Sequence, residues 1–272
     1  MHSKPIPPSG EPLPVIGLGT WQTFDVADGD RARLESVLTQ FVAAGGKLID
    51  SSPMYGRSES ALGALKMKLG LARSLFVATK VWTTGHDAGI EQMQHSESEL
   101  HTRPIDLMQV HNLVDAATHI PVLQEWKRQE RVRYIGITHY TSSAYGEVER
   151  VMRREKLDFL QINYSLAERG AEQRLLGLAA ERGMAVIANR PFAGGQLFSR
   201  VKGRALPTWT AEIGCRTWAQ LFLKWIVSHP AVTCAVPATD DVRHLTDNVQ
   251  AGFGALADQA MRRRIASLID SM

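Results

Sequence analysis

Three short apolar runs of this chain close on side chains that could do chemistry, and a fourth such side chain follows the first. Lys47-Leu48-Ile49 ends in Asp50 and leads through Ser51-Ser52-Pro53-Met54 to Tyr55; Phe76-Val77-Ala78-Thr79 ends in Lys80; Asp106-Leu107-Met108-Gln109-Val110 ends in His111. A carboxylate, a phenol, an ammonium and an imidazole together suit carbonyl reduction, which needs a hydride donor and a proton donor. A phenol of ordinary pKa near ~10 donates only if its phenolate is stabilised, and an adjacent Lys80 ammonium lowers that cost. Asp50 keeps Lys80 charged and oriented, while His111 hydrogen-bonds the carbonyl and helps align or protonate it. Singly, each has an ordinary reading: a strand-end Asp caps a turn, and a strand-end Lys or His is solvated. Only their convergence gives them one task.

That convergence requires neighbouring parallel strands. Short runs rich in Val, Ile, Leu and Phe recur at Val15 to Leu18, Lys47 to Asp50, Leu75 to Lys80, Ile105 to His111, Val132 to Ile137, Phe159 to Asn163, Ala185 to Ala188 and Val232 to Val236, each followed by an amphipathic stretch. Leu34, Val37, Leu38, Phe41 and Val42 before Gly45-Gly46, Leu175 to Ala179 before Gly183, and Trp218, Leu221, Phe222, Trp225 and Ile226 before His229-Pro230 read as core-facing helices. Eight strand-helix pairs joined by short turns, with no flexible linker, predict one α/β domain over residues 1–272, a (β/α)8 TIM barrel. The Pro- and Gly-rich segment Met1 to Pro14 is expected to cap the barrel bottom, and Met261 to Leu268 to form one more helix. In such a barrel, strands two, three and four bring Asp50, Lys80 and His111 to one mouth, with Tyr55 on the loop above.

The composition is that of an ordinary folded protein: 272 residues, 44% apolar, 22% charged, with a formal charge of +3. So mild a basic excess fits a small anionic ligand rather than nucleic acid. Cys215 and Cys234 form no CxxC and read as packing residues, and no metal-ligand spacing stands out. No stretch approaches the ~18 to 20 apolar residues of a membrane helix, so a cytoplasmic protein is expected, an exported origin with a removed leader staying open. Gly17-Leu18-Gly19 lacks the third glycine of a dinucleotide loop, Gln22 standing there, and no tyrosine has a lysine four residues on. There is no GxSxG, HExxH or Walker loop.

Ile16-Gly17-Leu18-Gly19-Thr20-Trp21, Asp50-Ser51-Ser52-Pro53-Met54-Tyr55-Gly56, Thr79-Lys80 and His111 resemble the aldo-keto reductase family in order and spacing. Gln161-Ile162-Asn163-Tyr164-Ser165, Val236-Pro237-Ala238-Thr239 and Asn248 extend the resemblance over almost the whole chain. It implies a catalytic tetrad of Asp50, Tyr55, Lys80 and His111, with Tyr55 as general acid, and NADPH as cofactor, NADH being a possible second. The cofactor positions it implies are Gly19, Thr20, Trp21, Thr138, His139, Gln161, Asn189, Arg190, Pro191, Phe192, Thr239, Arg243, His244 and Asn248. Several depart from the family. Thr138-His139 replaces the common Ser-Asn, Asn189-Arg190-Pro191-Phe192 replaces Tyr-Ser-Pro-Leu and so removes the tyrosine that stacks on nicotinamide, Ala238 lacks a frequent lysine, and His244 replaces a frequent arginine, leaving Arg243 as the expected phosphate partner. Trp21, Met54, Trp82 and Asn112 are expected to line the mouth for a small carbonyl substrate, Trp82 having a core role as its alternative. The short connection from His111 to the next helix near Pro121 implies an open pocket.

Two other functions remain on the sequence. Lys80 could form a Schiff base, as in a lyase or aldolase, although an adjacent Asp50 keeps it charged and poorly nucleophilic; and a non-catalytic nucleotide-binding barrel would keep the fold without the reaction. Neither nucleic acid nor membrane is expected as a partner, and nothing in the sequence bears on oligomeric state.

Overall fold

Strand residues of alternate parity point to opposite faces, and here the two faces feed two separate cores. Two antiparallel strands, β1 (Ser3–Pro5) and β2 (Pro12–Pro14), precede eight parallel ones: β3 (Leu18–Gly19), β4 (Leu48–Asp50), β5 (Phe76–Val81), β6 (Ile105–His111), β7 (Val132–Thr138), β8 (Phe159–Asn163), β9 (Ala185–Asn189) and β10 (Cys234–Ala235). Each of the eight is hydrogen-bonded to its neighbour in chain order, and bridges from Ile16 to Ala235 and from Gly19 to Ala238 close the barrel. This computed structural model describes residues 1–272, the side chain of Asp28 excepted.

Leu48, Phe76, Ala78, Leu107, Tyr134, Phe159, Ala185, Ile187, Cys234 and Val236 fill the barrel interior, together with Ile6 and Leu13 of the N-terminal hairpin. The intervening residues, among them Ile49, Val77, Met108, Ile135, Leu160 and Val186, pack outward against the helices. The expected bottom cap is therefore a plug: Ile6 and Leu13 are desolvated, and the Tyr134 hydroxyl is within hydrogen-bond distance of Ser9 Oγ (2.6 Å) and of Glu11 Oε2 (2.8 Å), which accepts from it, in the hairpin turn. Gly17 has no room for a side chain here, since a Cβ would lie 2.7 Å from the Leu48 side chain.

The helices are α1 (Ala32–Ala43), α2 (Ser58–Lys68), α3 (His86–Glu99), α4 (Ala116–Arg128), α5 (Tyr145–Arg154), α6 (Leu175–Glu181), α7 (Gln196–Arg200), α8 (Trp218–Val227), α9 (Val242–Gln250) and α10 (Gln259–Asp270). α10 is the extra C-terminal helix. None is long and apolar enough to cross a membrane. Three expectations need correction. The first and last strands are shorter than the runs at Val15 to Leu18 and Val232 to Val236, because Pro237 can offer the ladder a carbonyl, which Gly19 N uses at 3.0 Å, but no N–H. The helix after His111 begins at Ala116 instead of near Pro121, because Asn112, Leu113 and Asp115 all take positive φ and turn the chain at once, leaving Pro121 inside the helix. Finally, β9 and β10 are joined by more than a short turn: α7 and a 3-10 segment at Thr208–Ile213 precede α8, held by a cluster of Phe192, Phe198 and Phe222 with centroids 4.9 to 6.5 Å apart.

Ile6→Ala removes the plug's buried side chain and is expected to cost about 2 to 4 kcal/mol, read as a lower denaturant midpoint, while folded protein keeps its turnover because the plug lies at the far end of the barrel from Asp50. A loss below about 0.5 kcal/mol, as at a surface site, would show that the hairpin does not seal the core.

Candidate active site

Moving up the barrel interior, the inward side chains change from apolar to polar. Asp50, Lys80, Gln109, His111, Thr138, Gln161 and Asn163 are all buried polar residues on β4 to β8, and Asn189 ends β9. The register sets them side by side, with Lys80 opposite Gln109, His111 opposite Thr138, Thr138 opposite Gln161 and Asn163 opposite Asn189.

Lys80 is the centre of this layer. Its side chain is fully buried, and Nζ donates to Asp50 Oδ2 at 2.8 Å and to the Ser51 carbonyl at 2.6 Å. Gln109 Nε2 lies 3.5 Å from the other Asp50 oxygen. Nζ also lies 5.1 Å from the centroid of the Tyr55 ring, whose edge meets His111 at 5.8 Å and an interplanar angle of 83°. Burial opposes the charge on Lys80, but Asp50 and Tyr55 outweigh it and hold its pKa above the ordinary value. The Tyr55 result corrects a sequence expectation. Burial raises its pKa, the Lys80 charge offsets this only in part and Asp50 adds to it, so the net shift is upward and the resting group is a phenol. What Lys80 provides is an ammonium next to that phenol, which lowers the cost of a phenolate there.

The loop carrying Tyr55 is fixed from both ends. Thr20 Oγ1 is within hydrogen-bond distance of the Asp50 carbonyl (3.1 Å), which accepts from it, and of Ser51 Oγ (3.0 Å), so this expected cofactor residue is fully buried and positions the strand end. Beyond Tyr55, Gly56 takes φ +61°, and a Cβ there would fall 2.6 Å from the Asp25 carboxylate, which accepts from the backbone N–H and side chain of Arg57. A side chain at Gly56 would break that clamp and swing the phenol.

His111 Nδ1 lies 3.1 Å from Ser52 Oγ, which accepts from Met54 N at 3.2 Å. The serine hydrogen is thus free to be donated to Nδ1, leaving Nε2 as the N–H facing the mouth. Burial, then Lys80, then His139 push the His111 pKa down to about 3. It is a neutral hydrogen-bond donor, suited to aligning a carbonyl and not to protonating one.

Beyond the tetrad, Thr138 donates to Gln161 Oε1 at 3.1 Å, which leaves Gln161 Nε2 buried without a partner; Asn189 donates to the His139 carbonyl (3.1 Å), which leaves its Oδ1 equally unsatisfied. An unpaired donor and an unpaired acceptor in one layer fit a carboxamide. His139 Nδ1 accepts from Tyr140 N and Thr141 N, and its ring stacks on Tyr140. The Arg190 guanidinium lies 6.0 Å from the Tyr140 ring centroid and 3.9 Å from Glu168, while Pro191 is buried and Phe192 turns into its aromatic cluster.

At the N-terminus of α9, Thr239 Oγ1 accepts from Asp241 N and Asp241 caps Arg243 N; Asn248 is buried in the last turn of the helix. Gly19 bridges to Ala238 beside them. Arg243 is exposed and paired with Asp241 (2.7 Å), Arg33 from α1 pairs with Asp240 (3.0 Å), and His244 is exposed. At the rim, Trp21 and Trp82 are over 40% exposed and Met54 nearly so, which removes the core alternative for Trp82. Trp82 lies 6.4 Å from His111, and Gln92 clamps its backbone through both N–H (2.6 Å) and C=O (3.1 Å). Asn112, at φ +52°, keeps a buried Oδ1 without a partner. Sequence reasoning missed Ser52, Gln109, Gln92 and Arg33. Only Gln109 had a signal, two residues before His111 and so on its face of β6. Among the described residues no cluster of His, Cys, Asp or Glu could hold a metal ion.

The buried neutral state of His111 has a consequence for stability. With a folded pKa of about 3 against an unfolded value near 6.5, the unfolded chain binds the extra proton, so stability is full above about pH 6.5 and is lost as pH falls toward 3. Chemical denaturation between pH 6.5 and 4 is expected to show a slope for wild type that is steeper than for His111→Gln by up to about 1.4 kcal/mol per pH unit; equal slopes would mean that His111 is already charged in the fold.

The comparisons with known proteins point one way. The Aldo/keto reductase family model matches residues 15–269. An aldo-keto reductase, str7, of Strobilurus tenacellus is 27% identical, covering 90% of this chain and 83% of that protein. The NADP-dependent D-sorbitol-6-phosphate dehydrogenase of Malus domestica is 23% identical over 93% and 90%. An aldo/keto reductase from Klebsiella pneumoniae, crystallised with NADP and acetate, superposes with a TM-score of 0.81 at 22% identity, covering 99% of this chain and 96% of its own. Matched from the first barrel strand to the last helix, the chain belongs to the aldo/keto reductase family of oxidoreductases.

Proposed function

We propose that this protein reduces a small aldehyde or ketone to the alcohol with NADPH, Tyr55 supplying the proton. The observation that carries the reading is Lys80, fully buried, ion-paired to Asp50 and set against the Tyr55 ring. NADPH when bound supplies a hydride to the carbonyl carbon. His111 donates its Nε2 hydrogen to the carbonyl oxygen and holds it near Tyr55. As the carbonyl carbon gains the electron pair, the oxygen takes the Tyr55 proton, and Lys80 stabilises the phenolate left behind until solvent returns the proton. Gln161 and Asn189 are suited to the nicotinamide carboxamide through their unpaired Nε2 and Oδ1. Trp21, Met54 and Trp82 favour an apolar substituent on the carbonyl. The NADP dependence of the Malus dehydrogenase and the NADP bound in the Klebsiella crystal structure support the cofactor. The Schiff-base alternative is disfavoured because a lysine held protonated by a buried carboxylate has no lone pair to offer, and the non-catalytic alternative does not account for an intact tetrad.

Tyr55→Phe is expected to lower kcat for aldehyde reduction by ~10² or more while NADPH binding persists, because only the proton donor is lost. Turnover within a few-fold of wild type would remove Tyr55 from the role of acid.

Cofactor preference turns on the α9 terminus. A 2′-phosphate there must compete with Asp241 for Arg243 and with Asp240 for Arg33, so NADPH should bind tighter than NADH by only about ten-fold. In fluorescence titrations Arg243→Ala should bring the two cofactors within about three-fold of each other, leaving NADH nearly unchanged; an unchanged preference would transfer the role to Arg33 or Arg190.

A further inference from the structure

At the end of the barrel opposite Tyr55, the N-terminal ends of β4 to β7 surround an open cavity of about 680 Å³ whose walls are strongly basic. Lys47 precedes β4, Arg73 lies in the turn before β5, Arg103 precedes β6, and Arg133 sits at the start of β7. The carboxylates in the wall, Glu11 and Asp106, are both engaged by Arg133. Lys47, Arg73 and Arg103 have no ion pair among the described residues. Lys66, in the last turn of α2, also lines this cavity although its side chain is almost wholly buried. Its ammonium donates only to neutral groups, the His101 carbonyl at 3.1 Å and Thr102 Oγ1, and finds no carboxylate within ion-pair distance.

A buried ammonium without a counter-ion, at the wall of a concavity ringed by unpaired cations, is an arrangement that an anion would complete. We propose that this cavity binds a compact, multiply charged oxyanion of the phosphate-ester class, with Lys66 at its inner wall and Lys47, Arg73 and Arg103 around its rim. Concavity favours a small ligand over a nucleic-acid backbone or a membrane surface, which would meet the rim cations but not Lys66. Burial pushes the Lys66 pKa down to about 8, Asp106 pulling it only partly back, so an arriving anion also favours the charged form that burial penalises.

The test is calorimetric titration of inorganic pyrophosphate into protein saturated with NADP+, so that phosphate sites at the mouth are filled, with sulfate of equal ionic strength as control. The expected result is saturable binding of one pyrophosphate per chain, weakened about ten-fold or more in Lys66→Met and in Arg73→Ser/Arg103→Ser, with aldehyde turnover unchanged in both. Should Lys66→Met fail to fold, Lys66→Gln, which keeps a donor toward the His101 carbonyl while removing the charge, takes its place. Non-saturable binding, or full affinity in the double variant, would overturn the site; weakening in the double variant with no change in a folded Lys66→Met would reduce it to a surface patch and equally overturn it.

Discussion

The Lys80–Asp50 ion pair is the constraint around which the upper barrel is built. An ammonium with no exposure to water is tolerable only if a carboxylate and further acceptors surround it, and removing either partner of such a pair leaves a buried charge costing about 3 to 5 kcal/mol. Asp50 therefore cannot move, and the groups that immobilise it, Thr20 and Gln109, belong to the same requirement. Because the pair is interior, its field acts through little screening water, so the phenol of Tyr55 and the imidazole of His111 respond to it more strongly than they would at a surface. His111 is driven to neutrality in part by the same positive charge that would stabilise a Tyr55 phenolate. One charge thus assigns opposite states to two neighbours.

The barrel can hold such a pair because its interior is layered. Below the pair, Leu48, Phe76, Leu107 and Tyr134 pack against the hairpin's Ile6 and Leu13 and keep water from reaching Lys80 from beneath. A hairpin of two three-residue strands has little stability of its own. It is held by the side chains it inserts and by the latch from Tyr134, so the electrostatics of the mouth depend on apolar packing at the other end.

Much of this was legible in the sequence because it follows from local periodicity. All eight barrel strands overlap the apolar runs, and the convergence of Asp50, Tyr55, Lys80 and His111 was visible because three of the four end or follow such runs on neighbouring strands. What was not legible depends on contacts between distant segments. Arg33 lies on α1, some two hundred residues from the α9 terminus whose Asp240 it neutralises. Gln92 reaches back to Trp82 from the next helix, and Ser52 acquires meaning only when β4 and β6 bring it to His111. The direction of the Tyr55 shift was misjudged for a related reason: a sequence shows which charge stands near but not how much water has been removed, and desolvation is the larger effect. The β9–β10 connection was misjudged because the Phe192–Phe198–Phe222 cluster orders by tertiary packing a segment that has no strong period of its own.

Unsatisfied polar atoms are the complement of the ion pair. Gln109, Asn112, Gln161, Asn163 and Asn189 each keep one buried oxygen or nitrogen without a partner. Such groups commonly cost about 1 to 3 kcal/mol each, and a fold selected only for stability would replace them with apolar residues. Other such atoms lie elsewhere, on Thr23, Glu97, His119, Arg131, Glu168 and Arg190, but these five share one end of the barrel. Four stand on the polar inner layer of the barrel and the fifth, Asn112, follows β6 directly, whereas the interior cluster beneath is apolar apart from the Tyr134 hydroxyl, which has its partners. The apolar interior below is thus satisfied within the fold, while the upper layer carries unspent hydrogen-bonding capacity beside a paired charge, an asymmetry along the barrel interior that suits a polar ligand at the mouth.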